Sequence, residues 1–148
     1  MAADSVFLDT NVLVAASAEA HPSHAMAAGL VARLVSDRVP LVISVQVCRE
    51  FLSVMTRQPL GAARALTVAE TLATLEGWRQ PCAVLKEDDA VLAELLELVR
   101  KHDVKGKQVH DANIVATMRA NGIDRLATLN AADFKRFEDE IALEPLVS

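Results

Sequence analysis

The sequence predicts a parallel-sheet α/β fold in one domain spanning 1–148, and three observations predict it. Strand and helix signals alternate from end to end, with no internal repeat, low-complexity tract or linker. The first strand candidate, Val6-Phe7-Leu8, is an unbroken apolar run of the kind found in strands covered on both faces. At 148 residues and 52% apolar side chains the chain is long and apolar enough for a single core, which excludes a disordered polypeptide. With aromatics at only 3%, that core has to be built from Ala, Val and Leu.

In chain order, Val6 to Leu8 is the first strand and Asp9 ends it abruptly. A short helix from near Asn11, through Val12 to Ala18, follows. His21-Pro22-Ser23-His24 breaks it, and a second helix runs from about Ser23 to Asp37. Pro40 precedes a strand over Leu41 to Ser44. The next helix, about Val45 to Arg57, carries Val47, Phe51, Val54 and Met55 on one stripe and stops at Gln58-Pro59, since a residue before proline resists the helical region. Ala62 to Arg79 reads as a helix, and Pro81 introduces the strand Cys82 to Leu85. Asp88 caps a helix through about Lys101, with Val91, Leu92, Leu95, Leu98 and Val99 facing inward. After the loop Val104 to Gln108, His110 or Asp111 opens a helix to about Ala120, closed by Asn121-Gly122. Arg125 to Thr128 is a strand, Asp133 to Glu138 a helical turn, and Ala142 to Val147 an edge strand.

The net charge of −5 argues against a general nucleic-acid binder, which ordinarily carries a basic face. Carboxylates filled by divalent cations are one way round that objection. Cys48 and Cys82 show no metal or redox spacing and read as small buried apolar residues. No apolar run reaches the length of a membrane span and no signal peptide is apparent, so a soluble, cytoplasmic protein with no membrane partner is expected.

The acids differ in where they point. Asp9 falls at the C-terminal end of the first strand, where open α/β sheets bind ligands, although taken alone it reads first as a cap for the following helix. Glu50 lies three residues from Val47 and four from Val54, so it borders the apolar stripe while Arg49 points away. An ion pair with Arg57 at the rim of the core is the alternative role for it. Asp111 lies in line with Ile114, Val115 and Met118, in the first turn of its helix, where the dipole favours an anion. Asp133, or Asn130 before it, falls near the end of the strand Leu126-Ala127-Thr128. Glu94 and Glu97 read as solvent-facing, and Glu138, Asp139 and Glu140 as an exposed charge run. Three or four acids distant in sequence can thus meet above one sheet edge. Such a cluster repels itself unless a hard cation such as Mg²⁺ or Mn²⁺ sits in it, and a phosphodiester is the natural substrate to complete that shell.

The stretches FLDTNVLV, VHDANIVATM and LATLNAADF, with Glu50 on the third helix, resemble the PIN-domain family, and the HPSH segment most resembles its VapC-type toxins. The resemblance spans essentially the whole chain and implies a five-stranded parallel sheet between helices and Mg²⁺- or Mn²⁺-dependent endoribonuclease activity on RNA. It implies that Asp9, Glu50 and Asp111 form an acidic triad, Asp9 and Asp111 holding the metal most directly, Glu50 binding through water or helping to activate the nucleophile. Thr10, Asn11 and Thr128 match positions that orient the carboxylates. At the fourth acidic position Asn130 takes the usual place, with Asp133 nearby, which implies a weaker second metal site. A homodimer and a cognate antitoxin whose tail enters the acidic groove are implied as partners.

The competing readings are a catalytically inactive PIN-shaped binding module and a metal-dependent phosphohydrolase acting on a small phosphorylated substrate. A haloacid-dehalogenase pattern would want Asp where Asn11 stands. His21 and His24 suit a loop or helix start, His102 a helix C-terminus, and His110 a phosphate contact or a cap. Lys105, Lys107, Arg49, Arg125, Lys135 and Arg136 are candidate phosphate contacts, or else solvated surface charge.

Overall fold

The structure, a computed structural model, describes residues 4–57 and 65–146. Five strands, β1 (Val6–Leu8), β2 (Leu41–Ser44), β3 (Cys82–Leu85), β4 (Arg125–Ala127) and β5 (Ala142–Leu143), form one sheet in the order β3-β2-β1-β4-β5. Every pairing is parallel. Helices α1 (Thr10–Ser17), α2 (His24–Ser36), α3 (Val45–Thr56), α4 (Val68–Arg79), α5 (Asp89–His102) and α6 (Gln108–Ala120) connect them, with a 3-10 helix over Ala131–Phe137 between β4 and β5.

The winding explains where a site must lie. The chain starts in the middle of the sheet, moves outward through β2 to β3, then returns to the other side of β1 for β4 and β5. Right-handed crossovers in opposite directions put α1 to α4 on one face and α5 and α6 on the other. The packing agrees: α1 rests on α2 and α3, α3 on α4, and α5 on α6. The reversal falls between β1 and β4, and a crevice opens there at the strands' C-terminal ends.

β1 is central and covered on both faces: Val6, Phe7 and Leu8 are each 0% exposed, a burial that stabilises the fold by about 1.5–3 kcal/mol per side chain. Side-chain caps start four helices: Asp9 for α1, Ser44 for α3, Thr67 for α4 and Asp88 for α5. Gly122, at φ 69°, closes α6 as the Asn-Gly pair leads one to expect.

Several expectations are corrected. α1 begins at Thr10, directly after its cap. α4 begins at Val68, not Ala62: residues 65–67 are not helical, and Thr67 and Glu70 cap each other, Thr67 Oγ1 accepting from Glu70 N at 3.1 Å and Glu70 Oε1 from Thr67 N at 2.9 Å. That Thr-x-x-Glu signal stood in the sequence. Residues 62–64, the Gln58-Pro59 stop and Val147 lie outside the described residues. α6 opens at Gln108, before His110 and Asp111. Leu92 is 52% exposed, because the inward stripe of α5 centres on Val91 and Leu98. Cys48 is half-buried, whereas Cys82 is buried with its thiol pushed up to about 12, mainly by loss of solvation. β4 ends at Ala127 and β5 at Leu143. Glu140 is not part of an exposed run: its side chain is 3% exposed and meets Lys101, His102 and Arg119. Glu94 likewise pairs with Arg119 at 2.9 Å.

Candidate active site: an acidic cleft at the switch point

The parallel register places Leu8 beside Ala127, and Asp9 N continues the ladder by donating to Ala127 O at 2.9 Å. Asp9 and Thr128 therefore leave their strands side by side. The Asp9 carboxylate is buried and both its oxygens are hydrogen-bonded: Oδ1 accepts from Thr10 N at 2.8 Å, and Oδ2 from Thr128 Oγ1 at 2.9 Å and Asn11 Nδ2 at 3.3 Å. The cap bond and the bonds to Thr128 and Asn11 are thus carried by opposite oxygens of one residue. Asn11 completes a small lattice, its Nδ2 donating to Thr128 Oγ1 at 3.2 Å and its Oδ1 accepting from Leu129 N at 3.0 Å. Asn130 N donates to the same threonine oxygen at 3.1 Å.

Glu50, half-buried on the edge of the α3 stripe, accepts from Thr10 Oγ1 at 2.7 Å and Gln46 Nε2 at 3.2 Å. These neutral donors, and no ion pair with Arg57, hold it. Asp111 projects from the first turn of α6 above buried Ile114, Val115 and Met118; the residue before that helix is Lys107, so Asp111 does not cap it. No described residue forms an ion pair with Asp9, Glu50, Asp111 or Asp133.

All four carboxylates line a single open cleft of about 480 Å³, together with Thr10, Asn11, Val14, His21, Ser53, Val54, Arg57 and Asn130. Thr128 stands behind Asp9. The convergence expected from the sequence therefore occurs, and Asn130 and Asp133 both reach the cleft. Sequence reasoning missed Gln46, which shares a helix face with Glu50 by the four-residue spacing, and Asn113, two residues after Asp111. Gln46 Oε1 accepts from Asn113 Nδ2 at 2.7 Å. His21, given only a loop role, adds its ring to the cleft wall, its Nδ1 accepting from Ser23 N at 3.0 Å. His24 opens α2, the helix-start role expected of it, and its Nδ1 meets Ala15 O at 2.9 Å.

Among the cationic candidates, Arg125 forms a two-pronged ion pair with Glu144 at 2.9–3.1 Å, so it is spent on the fold. Lys105 pairs with exposed Asp103 at 3.1 Å. Arg136 lies close enough to Asp111 to oppose its upward shift.

The electrostatics show what the cleft lacks. Burial, with the charges of Asp111 and Glu50, raises the Asp9 carboxyl to about 6 despite the donors Thr128 and Thr10. Burial, then Asp133 and Glu50, raises Asp111 to about 6 as well. Such a cluster is short of positive charge. Its oxygen donors are the set that hard cations take. No group of three or more His, Cys, Asp or Glu side chains among the described residues forms a ready-made metal cage. Mg²⁺ keeps several waters and takes one or two carboxylates along with substrate phosphates, so it needs fewer protein ligands than such a cage. The residues fit such an ion.

A model of the PIN domain matches residues 6–140. The chain belongs to the PIN-domain family. A relative from Mycobacterium tuberculosis, named Ribonuclease VapC24, is 26% identical over 147 residues, covering 95% of this chain and 97% of its own. Among solved structures, VapBC2 from Rickettsia felis bound to a promoter DNA fragment superposes with a TM-score of 0.71 at 19% identity, over 94% of this chain and 96% of that one. VapC20 from Mycobacterium tuberculosis, described as a Sarcin-Ricin loop cleaving toxin, gives 0.66 at 19% identity, over 93% and 97%. This PIN domain thus shares the five-stranded architecture of VapC structures. Among the described residues no helix is long and apolar enough to cross a membrane.

Proposed function

We propose that this PIN-domain protein is a Mg²⁺-dependent endoribonuclease, able to use Mn²⁺, and the toxin of a toxin–antitoxin pair. The observation that carries the reading is the cleft itself: Asp9, Glu50, Asp111 and Asp133 converge at the sheet's switch point, and among the described residues none of them forms an ion pair. The ribonuclease name of the relative and the toxin description of a structural neighbour support the substrate and the biological role.

In this mechanism Asp9 and Asp111 hold the cation. Bound there, a cation would supply polarisation of the scissile phosphodiester, a lower pKa for the attacking water and stabilisation of the leaving oxygen. Thr10, Asn11 and Thr128 fix the direction of the Asp9 and Glu50 oxygens, so the carboxylates need not reorganise as charge develops. Glu50 keeps lone pairs towards the cleft with which to orient the attacking water or accept its proton. Asn130 and Asp133 shape a second, weaker cation position beside Asp111, since an amide supplies oxygen without charge. His21 and Arg57 on the wall supply donors for backbone phosphates.

The same acidity suits a basic antitoxin segment entering the cleft. Homodimerisation belongs to this reading too; Leu92 and Leu96, 52% and 54% exposed on α5, offer apolar surface for it. Incubating the purified chain with a mixed RNA pool under Mg²⁺, Mn²⁺ or EDTA, beside Asp9→Asn and Asp111→Asn, tests the proposal. Metal-dependent cleavage abolished in both variants is expected. Cleavage that survives in both would place the chemistry elsewhere.

A further inference from the structure

One buried amide sits between the two helices that carry Glu50 and Asp111. Gln46 is 1% exposed. Its Nε2 donates to Glu50 Oε2 on its own helix and, at 2.9 Å, to the main-chain oxygen of His110, the residue before Asp111. Its Oε1 accepts from Asn113, and Asn113 Nδ2 also donates to Glu87 Oε1 at 2.8 Å. Glu87 Oε2 in turn accepts from Gln46 N at 2.7 Å, closing a ring.

The polarity of this ring is forced. Glu50, the His110 carbonyl and Glu87 can only accept, so Gln46 must turn its NH₂ to Glu50 and His110, and its oxygen to Asn113. No other uncharged side chain of this length supplies donor and acceptor at those two places.

We propose that Gln46, held by Asn113 and Glu87, is a positioning residue that sets the spacing between the Glu50 and Asp111 carboxylates for the divalent cation. It touches neither cation nor substrate and acts through those two acids. The inference rests on the metal-dependent nuclease reading above.

The test is Gln46→Met, which keeps length and neutrality but cannot bond, alongside Glu87→Ala, which removes the ring's exposed anchor. Mn²⁺ binding is titrated without RNA, and RNA cleavage is followed as kcat and KM, with thermal unfolding in EDTA as the control for folding. Partners that orient metal ligands are worth about 10–100-fold in affinity or rate, so Gln46→Met is expected to lose about 10-fold or more in Mn²⁺ affinity and kcat with KM little changed. Glu87→Ala, outside the cleft, is expected to show the same pattern more weakly, with a loss of about 3–10-fold, at or under the lower end of that range. If both variants keep Mn²⁺ affinity and kcat within about twofold of wild type, well below the range for such partners, the ring is only structural and the proposal fails. Should Gln46→Met not fold, Glu87→Ala alone decides between these outcomes. A wild-type chain that binds Mn²⁺ but cleaves no RNA removes the nuclease reading and leaves the positioning role to be judged by affinity. A wild-type chain that does neither overturns both.

Discussion

Replacing Asp9 with Asn should make the metal-free protein more stable while removing its response to metal. Asp9 is 7% exposed and its carboxyl is raised from 3.8 to about 6, first by burial and then by Asp111 and Glu50. For an acid with a raised folded pKa, the native state binds more protons than the unfolded state between the two values. Stability therefore falls as pH rises from about 4 to about 6, and the full penalty stands above that window. A shift of about two units corresponds to about 3 kcal/mol at neutral pH. Asn removes the charge but turns an NH₂ towards the Asn11 and Thr128 donors, which costs about 1–2 kcal/mol. The net gain is about 1–2 kcal/mol, or roughly 3–6 °C in Tm for a chain of this size. The assay is thermal unfolding of both proteins in EDTA and in excess Mg²⁺, at pH 7.5 and pH 5. In EDTA at pH 7.5 the variant should melt higher, and at pH 5 the difference should shrink because wild-type Asp9 is then protonated. Excess Mg²⁺ should raise the wild-type Tm and leave the variant unmoved. A variant that melts lower than wild type in EDTA at pH 7.5, or a gap of the same size at pH 5, would refute the account of Asp9 as a charge made costly by burial and by its acidic neighbours.

The remaining predictions concern its surroundings. Mn²⁺ affinity should weaken steeply as pH falls below about 6, since both Asp9 and Asp111 must lose protons to bind it; calorimetry in buffers of different ionisation enthalpy should reveal proton release near pH 6. Thr128→Val, which removes the hydroxyl donor to Asp9, should lower kcat by about 10-fold with little change in fold, as read from RNA cleavage and circular dichroism. Glu140→Gln should destabilise the chain by about 2–3 kcal/mol in urea titrations, because Lys101, His102 and Arg119 lose the charge they share, while cleavage per folded molecule stays unchanged. Glu140 is held below the usual carboxylate range, chiefly by Lys101, so its contribution is present above the unfolded pKa and is lost as pH falls through the folded one.

Most of the candidate site was legible because its residues sit at punctuation points of the chain. Asp9 ends an apolar run, and Asp111 lies in line with Ile114, Val115 and Met118; both patterns survive in one dimension. The misreadings share a cause. Glu140 and Arg125 looked like surface charge because their partners, Lys101, Arg119 and Glu144, are 19 to 39 residues away. Leu92 looked internal because helical periodicity gives an apolar stripe but not its width.

By itself the sequence determined the alternation of strands and helices, the central buried strand and the acids aimed at the core. These follow from local propensity and from the periods of 2 and 3.6 residues. Only the tertiary structure decided that α3 and α6, on opposite faces of the sheet, bring Glu50 and Asp111 to the same cleft, and that Gln46, Asn113 and Glu87 brace them. Those contacts span 26 to 67 residues of chain. They exist because the chain reverses its winding between β1 and β4, and no local pattern records that reversal.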